Sequence, residues 1–157
     1  MSPIAIYTDG ACSGNGRDNA RGGWAAILVD SSGERELSGT ERSATNQRME
    51  LRAAIEGLRA LTAPSEVTLY SDSAYVVSCF EDRWYDAWRD NGWRNKKKQP
   101  IANRELWEEL LELVEAHGHV VGFKRVAGHA DKLGRALDIH EVYNQRCDRL
   151  AVAATAA

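Results

Sequence analysis

Two short runs of alternating residues each end on an aspartate, and this feature constrains the fold more than any other. The first is IAIYTDGACSGNG, from Ile4 to Gly16, and the second is EVTLYSDS, from Glu66 to Ser73. Alternation ahead of a turn-forming sequence is typical of a β-strand that runs into a loop. If the strands are parallel neighbours, Asp9 and Asp72 lie side by side at one sheet edge. Either one carboxyl is then protonated or a cation lies between them.

The composition is that of an ordinary soluble globule, with 43% hydrophobic and 27% charged residues. The length favours one domain, residues 1–157, and no apolar run reaches membrane-spanning length. Since Met1 leads directly into a strand, we expect a cytoplasmic protein without membrane contact, and a monomer by default. Cys12, Cys79 and Cys147 are widely separated, which favours free reduced thiols over a metal site.

The net charge of −3 is unevenly distributed along the chain. Between Arg83 and Arg104 there are seven basic residues and two acidic ones, so the remainder is strongly acidic. A basic segment on an acidic body predicts one electropositive face rather than a generally adhesive surface.

Hydrophobic periodicity predicts an opening β-meander followed by alternating helices and strands. The predicted strands are Ile4–Thr8, Gly23–Val29, Glu34–Thr40, Glu66–Tyr70 and Val120–Val126. The predicted helices are Asn46–Leu61, Asn103–Ala116 and Glu141–Ala153, with helical pieces between Ser73 and Asp90. Thr45 is expected to cap the first helix, Pro64 to end it, and Gly118 to cap the helix before the last strand. This order indicates an α/β protein with one mixed sheet covered by helices.

Two further acids are candidates for the same sheet edge. Glu50 shares a helix face with Ala54 and Gly57, which are small enough to let the helix lie close to a sheet. Asp148 lies in the last helix, in NQRCDRLA. Each acid alone is equally explained as a turn residue or a solvated helix face, and only their coincidence favours a site. Oxygen ligands without a Cys or His cluster suit Mg²⁺ or Mn²⁺, which points to phosphoryl transfer.

Seven blocks, in order, carry a resemblance to a known family: YTDGACSGN, GGWAAIL, TNQRMEL, SDSAYV, GWRNKKKQPIANRELW, VAGH and NQRCDRLA. Together they make the chain similar to type 1 ribonuclease H, the bacterial ribonuclease HI family, over nearly its full length. The resemblance implies a ribonuclease H-like α/β fold, a mixed five-stranded sheet flanked by helices. It also implies an endonuclease that cuts the RNA strand of an RNA–DNA hybrid.

The resemblance assigns roles to individual residues of the catalytic centre. It implies that Asp9, Glu50, Asp72 and Asp148 bind metal, and that His129 moves protons and assists product departure. Catalysis would use two Mg²⁺ ions about 4 Å apart, with Mn²⁺ as a substitute. The expected products carry 3′-hydroxyl and 5′-phosphate ends.

Substrate contacts are implied at two further places. The RNA 2′-hydroxyls would be read by Cys12 and Asn15, largely through their backbone, and by Asn46, Gln47 and Glu50. Thr45 at the helix start suits a DNA phosphate. In the basic segment, Trp84, Lys96, Lys97 and Lys98 are expected to contact substrate, whereas Trp88 is expected to pack in the core.

Departures from the family pattern leave alternatives open. Ala127 replaces a lysine common in relatives, so one phosphate contact is either missing or supplied by Lys124 or Arg125. Ala74 replaces a common glutamine. The 18 residues between His129 and Asp148 are more than usual and form either a rigid turn or a flexible lid. Three rival functions are open. The first is a DNA-directed nuclease, disfavoured by the RNA-facing residues, and the second is a non-catalytic binding module, disfavoured by the four acids. The third, a metal-free ribonuclease with paired histidines, would leave the acids unexplained.

Overall fold

A five-stranded mixed sheet forms the centre of the molecule in a computed structural model, which describes residues 1–15 and 17–156. Gly16, at the end of the first quoted stretch, lies outside the described residues. The strands are β1 (Ser2–Ser13), β2 (Arg21–Asp30), β3 (Gly33–Arg42), β4 (Ser65–Ser71) and β5 (Val120–Arg125). They lie in the order β3-β2-β1-β4-β5, and the predicted mixed five-stranded sheet is confirmed.

The parallel pairing of β1 with β4 brings the two aspartate-bearing strands together. Tyr7 lies opposite Tyr70 in this register. Each strand therefore reaches the same sheet edge, and an aspartate follows two residues after each tyrosine. β4 pairs in parallel with β5, whereas β1, β2 and β3 form the antiparallel meander predicted from the sequence.

Helices cover both faces of the sheet. They are α1 (Asn46–Arg59), α2 (Ala74–Glu81), α3 (Trp84–Asn91), α4 (Arg104–Glu115) and α5 (Ile139–Thr155), with a short 3-10 helix at Ala130–Leu133. The larger core lies on the α1 side and includes Ile6, Leu69 and Trp107, all with no exposed surface. Tyr7 and Cys147 belong to a smaller core beneath α5. Among the described residues, no helix combines the length and apolarity that a membrane crossing requires.

α1 lies unusually close to β1 because small residues line the contact. A Cβ atom at Gly10 would lie 2.5 Å from the backbone carbon of Met49, and one at Gly57 would lie 2.9 Å from Ile6 Cγ2. Such distances leave no room for any larger side chain. This close approach places Glu50, one residue beyond Met49, against the end of β1.

Three predicted element ends differ from the structure for an identifiable local reason, and most of the other ends differ by one or two residues. β1 does not stop at Thr8 but continues through the glycines to Ser13, because β2 pairs with it residue by residue over that stretch. α1 ends at Arg59, where the Ala60 N–H closes back onto the carbonyls of Glu56 and Leu58; Pro64 lies beyond it.

The end of α4 also differs from the sequence prediction. Ala116, not Gly118, is its C-cap, because the Ala116 N–H bonds to the carbonyl of Glu112 and closes the last turn. Gly118 instead adopts a φ of +77° in the turn that leads to β5, a conformation that glycine tolerates best.

Candidate active site

Asp9, Glu50 and Asp72 converge at the edge where β1 and β4 end. One carboxylate oxygen from each lies within 4.8 Å of the others. Asp9 is 3% exposed and Glu50 9% exposed. The Gly10 N–H donates both to Asp9 Oδ1 at 2.9 Å and to Glu50 Oε1 at 3.0 Å. This shared donor connects the acid of β1 to the acid of α1.

Burial and mutual repulsion oppose the ionisation of this triad. Burial, followed by the charge of Glu50, raises the pKa of Asp9 far above its usual range. The pKa of Glu50 is raised by burial and then by the charge of Asp72. Burial likewise raises the pKa of Asp72. The protein alone therefore does not compensate three adjacent negative charges.

The donor set of the triad fits a hard divalent cation. All three side chains offer carboxylate oxygens, and none of them is held by an arginine or lysine among the described residues. Oxygen-only ligands are those that Mg²⁺ and Mn²⁺ prefer. A bound cation would also remove the repulsion that raises these pKa values.

Asp148 lies outside the triad but borders the same region. A cavity of about 230 Å³ is lined by Asp72, Asp148 and His129, among others. The charge of Asp148 raises the pKa of both Asp9 and Asp72, although burial remains the largest cause for each. Of the four acids predicted from the sequence, three therefore form one cluster and the fourth faces it across a cavity.

His129 is exposed and sits in the left-handed region, with a φ of 52°. Its charge lowers the pKa of Asp72, against the larger effect of burial. His129 lines the same cavity as Asp72 and Asp148, and it is exposed to solvent.

Asn144 is a buried site residue that the sequence reasoning missed. It is 3% exposed, lines the same cavity, and its side-chain hydrogen bond lowers the pKa of Asp72. Its Oδ1 atom is buried without a hydrogen-bond partner among the described residues. Asn144 precedes Asp148 by one helical turn, and this spacing is the signal that could have identified it.

The segment after His129 folds as a short 3-10 helix, Ala130–Leu133, followed by a turn into α5, and the choice between a rigid turn and a flexible lid stays a prediction. Half of the 18 residues belong to α5, which begins at Ile139. Arg135 donates to both carboxylate oxygens of Glu141, each at 2.7 Å. Asp138 and Glu141 form a reciprocal capping box at the start of α5.

The comparisons with known proteins identify the fold and the family. The family model described as RNase H matches residues 1–156. The chain belongs to the ribonuclease H family. It is 50% identical to the ribonuclease H of Symbiobacterium thermophilum over 157 residues, which cover 100% of this chain and 97% of that protein. The chain is thus an endoribonuclease of this family, and the resemblance seen in the sequence is confirmed.

Solved structures agree with this assignment. LC9-RNase H1, a type 1 ribonuclease H with the type 2 active-site motif, is 31% identical with a TM-score of 0.81, covering 99% of this chain and 73% of that one. A foamy viral protease-reverse transcriptase in complex with an RNA/DNA hybrid has a TM-score of 0.75 at 18% identity, covering 98% of this chain and 20% of that one. The second likeness concerns the fold alone, and the ribonuclease H-like fold is confirmed.

The residues predicted to read RNA cluster beside the acids of this ribonuclease H. Asn15 Oδ1 accepts from the Asn46 N–H at 2.9 Å, which ties the first loop to the start of α1. Cys12 Sγ donates to the Ala44 carbonyl at 3.3 Å in the same region. Gln47 is exposed in the first turn of α1.

Thr45 caps α1 as predicted. Its Oγ1 accepts from the Arg48 N–H at 3.2 Å, so the hydroxyl proton remains available to another acceptor. The N-terminus of the helix adds a partial positive charge at the same place, which favours an anion such as a phosphate.

The basic segment divides into paired and unpaired cations. Arg83, Arg89 and Arg104 pair with Asp86, Glu115 and Glu108, respectively. Lys96, Lys97 and Lys98 are exposed, and no ion pair engages them within the described chain. The three lysines, together with Arg94, which donates to the Lys98 carbonyl, are therefore the cations of this segment without a compensating acid in the described chain.

The tryptophans of the basic segment lie mainly against the core. Trp88 packs 5.5 Å from the ring of Trp107, which confirms its predicted core position. Trp84 is also partly buried there, with its ring 6.3 Å from that of Trp88. Trp93 is only 9% exposed, so it offers little surface for stacking on a substrate.

Proposed function

We propose that this ribonuclease H hydrolyses the RNA strand of RNA–DNA hybrids with two divalent cations, preferably Mg²⁺, and leaves 3′-hydroxyl and 5′-phosphate ends. The observation that supports this most directly is the buried triad of Asp9, Glu50 and Asp72, whose oxygens lie within 4.8 Å of one another. Such a cluster is costly in a stable fold unless a cation compensates it.

The four acids would divide the metal-binding work between them. Asp9, Glu50 and Asp72 offer the clustered oxygens, and Asp148 faces them across the cavity. When bound, the cations would supply a water of lowered pKa and stabilise charge on the leaving 3′ oxygen. The Gly10 N–H, which donates to both Asp9 and Glu50, holds the oxygens in place before any cation arrives.

Residues around the acids would complete the reaction. His129, exposed at the cavity mouth, would take up or deliver the proton that accompanies hydrolysis. Asn144 would orient Asp72 through its side-chain hydrogen bond and thereby fix one ligand direction.

Substrate selection would rest on two surfaces on either side of α1. The cluster of Cys12, Asn15, Asn46 and Gln47 would face RNA 2′-hydroxyls, which distinguish RNA from DNA. Thr45 would hold a DNA phosphate at the start of α1. Lys96, Lys97 and Lys98 would add sequence-independent contacts to the duplex backbone, with Trp84 beside them.

We also propose that residues 1–157 form one catalytic domain that acts as a monomer in the cytoplasm. The location is supported by three free cysteines, of which Cys79 and Cys147 are buried as thiols. Such thiols suit a reducing compartment.

The test is cleavage of a labelled RNA–DNA hybrid with Mg²⁺, beside single-stranded RNA, duplex RNA and duplex DNA. Cutting of the hybrid alone, with 5′-phosphate products, is expected for the wild type. Asp9→Asn should abolish it, while Asp90→Asn, an exposed aspartate in the basic segment, should not. Equal cutting of single-stranded RNA, or activity that survives in EDTA, would contradict the proposal; hybrid binding without cleavage would favour a non-catalytic module.

A further inference from the structure

A second cavity lies beside the active site, between the end of β5 and the start of α5. Its volume is about 290 Å³, and its lining includes Tyr70, Lys124, Arg125 and His140. We call these four residues and the space they enclose the cationic groove. Glu141 lines both this groove and the cavity that contains Asp72 and Asp148. The groove is therefore an immediate neighbour of the catalytic centre.

The groove exists because α5 covers only part of its sheet face. α5 packs mainly on β1 and β2, which leaves the β4–β5 side of that face less covered. Tyr70 belongs to the core beneath α5, and Lys124 lies directly beside it in the parallel register of β4 and β5. An aromatic ring and an ammonium group thus lie together at an open edge of the sheet.

The cations of the groove are available, whereas its acids are engaged. Lys124 and Arg125 are exposed, and no ion pair holds either of them within the described chain. By contrast, Glu141 is 4% exposed and is bound by Arg135. Asp138 uses Oδ1 to accept the Glu141 N–H at the helix start. Asp138 keeps its own negative charge, so Lys124 and Arg125 exceed the unpaired acid of the groove by one positive charge.

Arg125 connects the groove to the catalytic acids. Its Nε donates to the backbone carbonyl of Asp72 at 3.3 Å, which holds the guanidinium next to a proposed metal ligand. The remaining guanidinium donors have no partner in the described structure. They are free to donate to a phosphate that lies beside Asp72.

The aromatic wall contributes a further donor. Tyr70 and His140 stack with ring centroids 4.4 Å apart, and the Tyr7 hydroxyl and His140 Nδ1 form a hydrogen bond of 2.7 Å. In the tautomer that accepts from the hydroxyl at Nδ1, the ring carries its proton on Nε2. Nε2 has no partner among the described residues, so in that tautomer it can donate to an anion in the groove.

We propose that the cationic groove binds one phosphodiester of the RNA strand, adjacent to the phosphate that is cleaved. Lys124 and Arg125 supply the charge, and His140 supplies a directional hydrogen bond. The RNA strand is the expected occupant because Arg125 touches Asp72, over which the cleaved strand must pass. This inference rests on the proposed hybrid-directed activity and adds a subsite to it.

The experiment uses hybrids in which single phosphates are replaced by neutral methylphosphonates, one position at a time, on either strand. A short RNA segment within a DNA strand fixes the cut, which is mapped with active enzyme. Dissociation constants are measured in an Asp9→Asn background, with and without Lys124→Ala or Arg125→Ala. Arg35→Ala is the matched control, since Arg35 is an exposed, unpaired cation near the opposite end of the sheet in the described structure.

Lys124→Ala and Arg125→Ala should each raise the dissociation constant roughly 3- to 10-fold, as expected for loss of a charged phosphate contact. The variants should no longer raise the dissociation constant on the one hybrid whose RNA phosphate beside the cut is already neutral, because the variant and the methylphosphonate remove the same contact. Arg35→Ala should change the dissociation constant on neither the normal nor the neutralised hybrid. The assignment would be overturned if the effect of Lys124→Ala and Arg125→Ala vanished instead on a hybrid with a neutral DNA-strand phosphate. It would also be overturned if these variants changed the dissociation constant no more than Arg35→Ala does. If the wild type fails to cut any hybrid, the proposed function itself is wrong.

Discussion

Asp9 shows most clearly how the site opposes the stability of the fold. Its side chain is buried in a strand, yet it must ionise next to Glu50, and burial with this repulsion raises its pKa far above normal. A folded-state pKa above the unfolded value of about 3.9 means that the native protein binds the extra proton. The metal-free protein should therefore lose stability as the pH rises above about 4.

Replacing Asp9 by asparagine should make the metal-free protein more stable while it abolishes cleavage. At pH 8 in EDTA we expect Asp9→Asn to raise Tm by roughly 2–8 °C, equivalent to about 1–2 kcal/mol for a chain of this size. At pH 3 the difference should disappear, because the aspartate is then protonated in both states. Thermal unfolding followed by circular dichroism between pH 3 and 9 measures both effects.

The same titration contains its control. Asp90→Asn removes an exposed acid and should leave the pH profile unchanged. Added Mg²⁺ should raise Tm for the wild type more than for Asp9→Asn, since only the former keeps all the ligands. An Asp9→Asn protein that is less stable than the wild type at pH 8 would show that repulsion between the carboxylates does not destabilise the metal-free protein.

Element ends show which parts of the fold were accessible from sequence. The start of α1 was predicted correctly, because Thr45 carries a local capping signal that needs no distant partner. The end of β1 was not, because its extension to Ser13 depends on pairing with Gly22 and its neighbours in another strand. Asn144 was missed because its contact with Asp72 is tertiary, although its spacing of one helical turn from Asp148 was visible in the sequence. Local signals were readable, and tertiary ones were not.

The turn between His129 and α5 should control turnover rather than substrate affinity. Arg135 holds the nearly buried Glu141 through two hydrogen bonds, and this pair ties the segment after His129 to the first turn of α5. We expect Arg135→Gln to lower kcat roughly 3- to 10-fold with little change in KM, because His129 is then no longer presented in one position. Steady-state kinetics on a hybrid substrate measures the two constants separately.

Hydrogen exchange provides the structural readout for this variant. Amides of residues 130–138 should exchange faster in Arg135→Gln, while those of the central strands should not change. Arg104→Gln is the matched control, since Arg104 makes an exposed pair with Glu108 within one helix. Faster exchange with an unchanged kcat would show that the turn need not be ordered for catalysis.

The whole molecule separates its charge into a basic segment and an acidic body. The separation is incomplete, because Arg83, Arg89 and Arg104 are neutralised locally by acids within or beside the segment. Lys96, Lys97 and Lys98 make no ion pair in the described chain, and neither does Arg94, whose guanidinium donates to the carbonyl of Lys98. Sequence counting could not distinguish these two groups, since it treats all basic residues alike.

This division predicts different salt dependences for two triple variants of equal charge. Each phosphate contact contributes between about 0.7 and 0.9 to the slope of log K against log salt concentration. Replacing the three lysines by alanine should therefore reduce the slope by roughly 2–3. Replacing the three paired arginines should reduce it by less than about 1, because their charges already have partners.

Hybrid binding is followed by fluorescence anisotropy at several salt concentrations, in an Asp9→Asn background that does not cut. Equal slopes for the two triple variants would mean that the whole segment acts through its net charge, and that the ion pairs open when the hybrid binds.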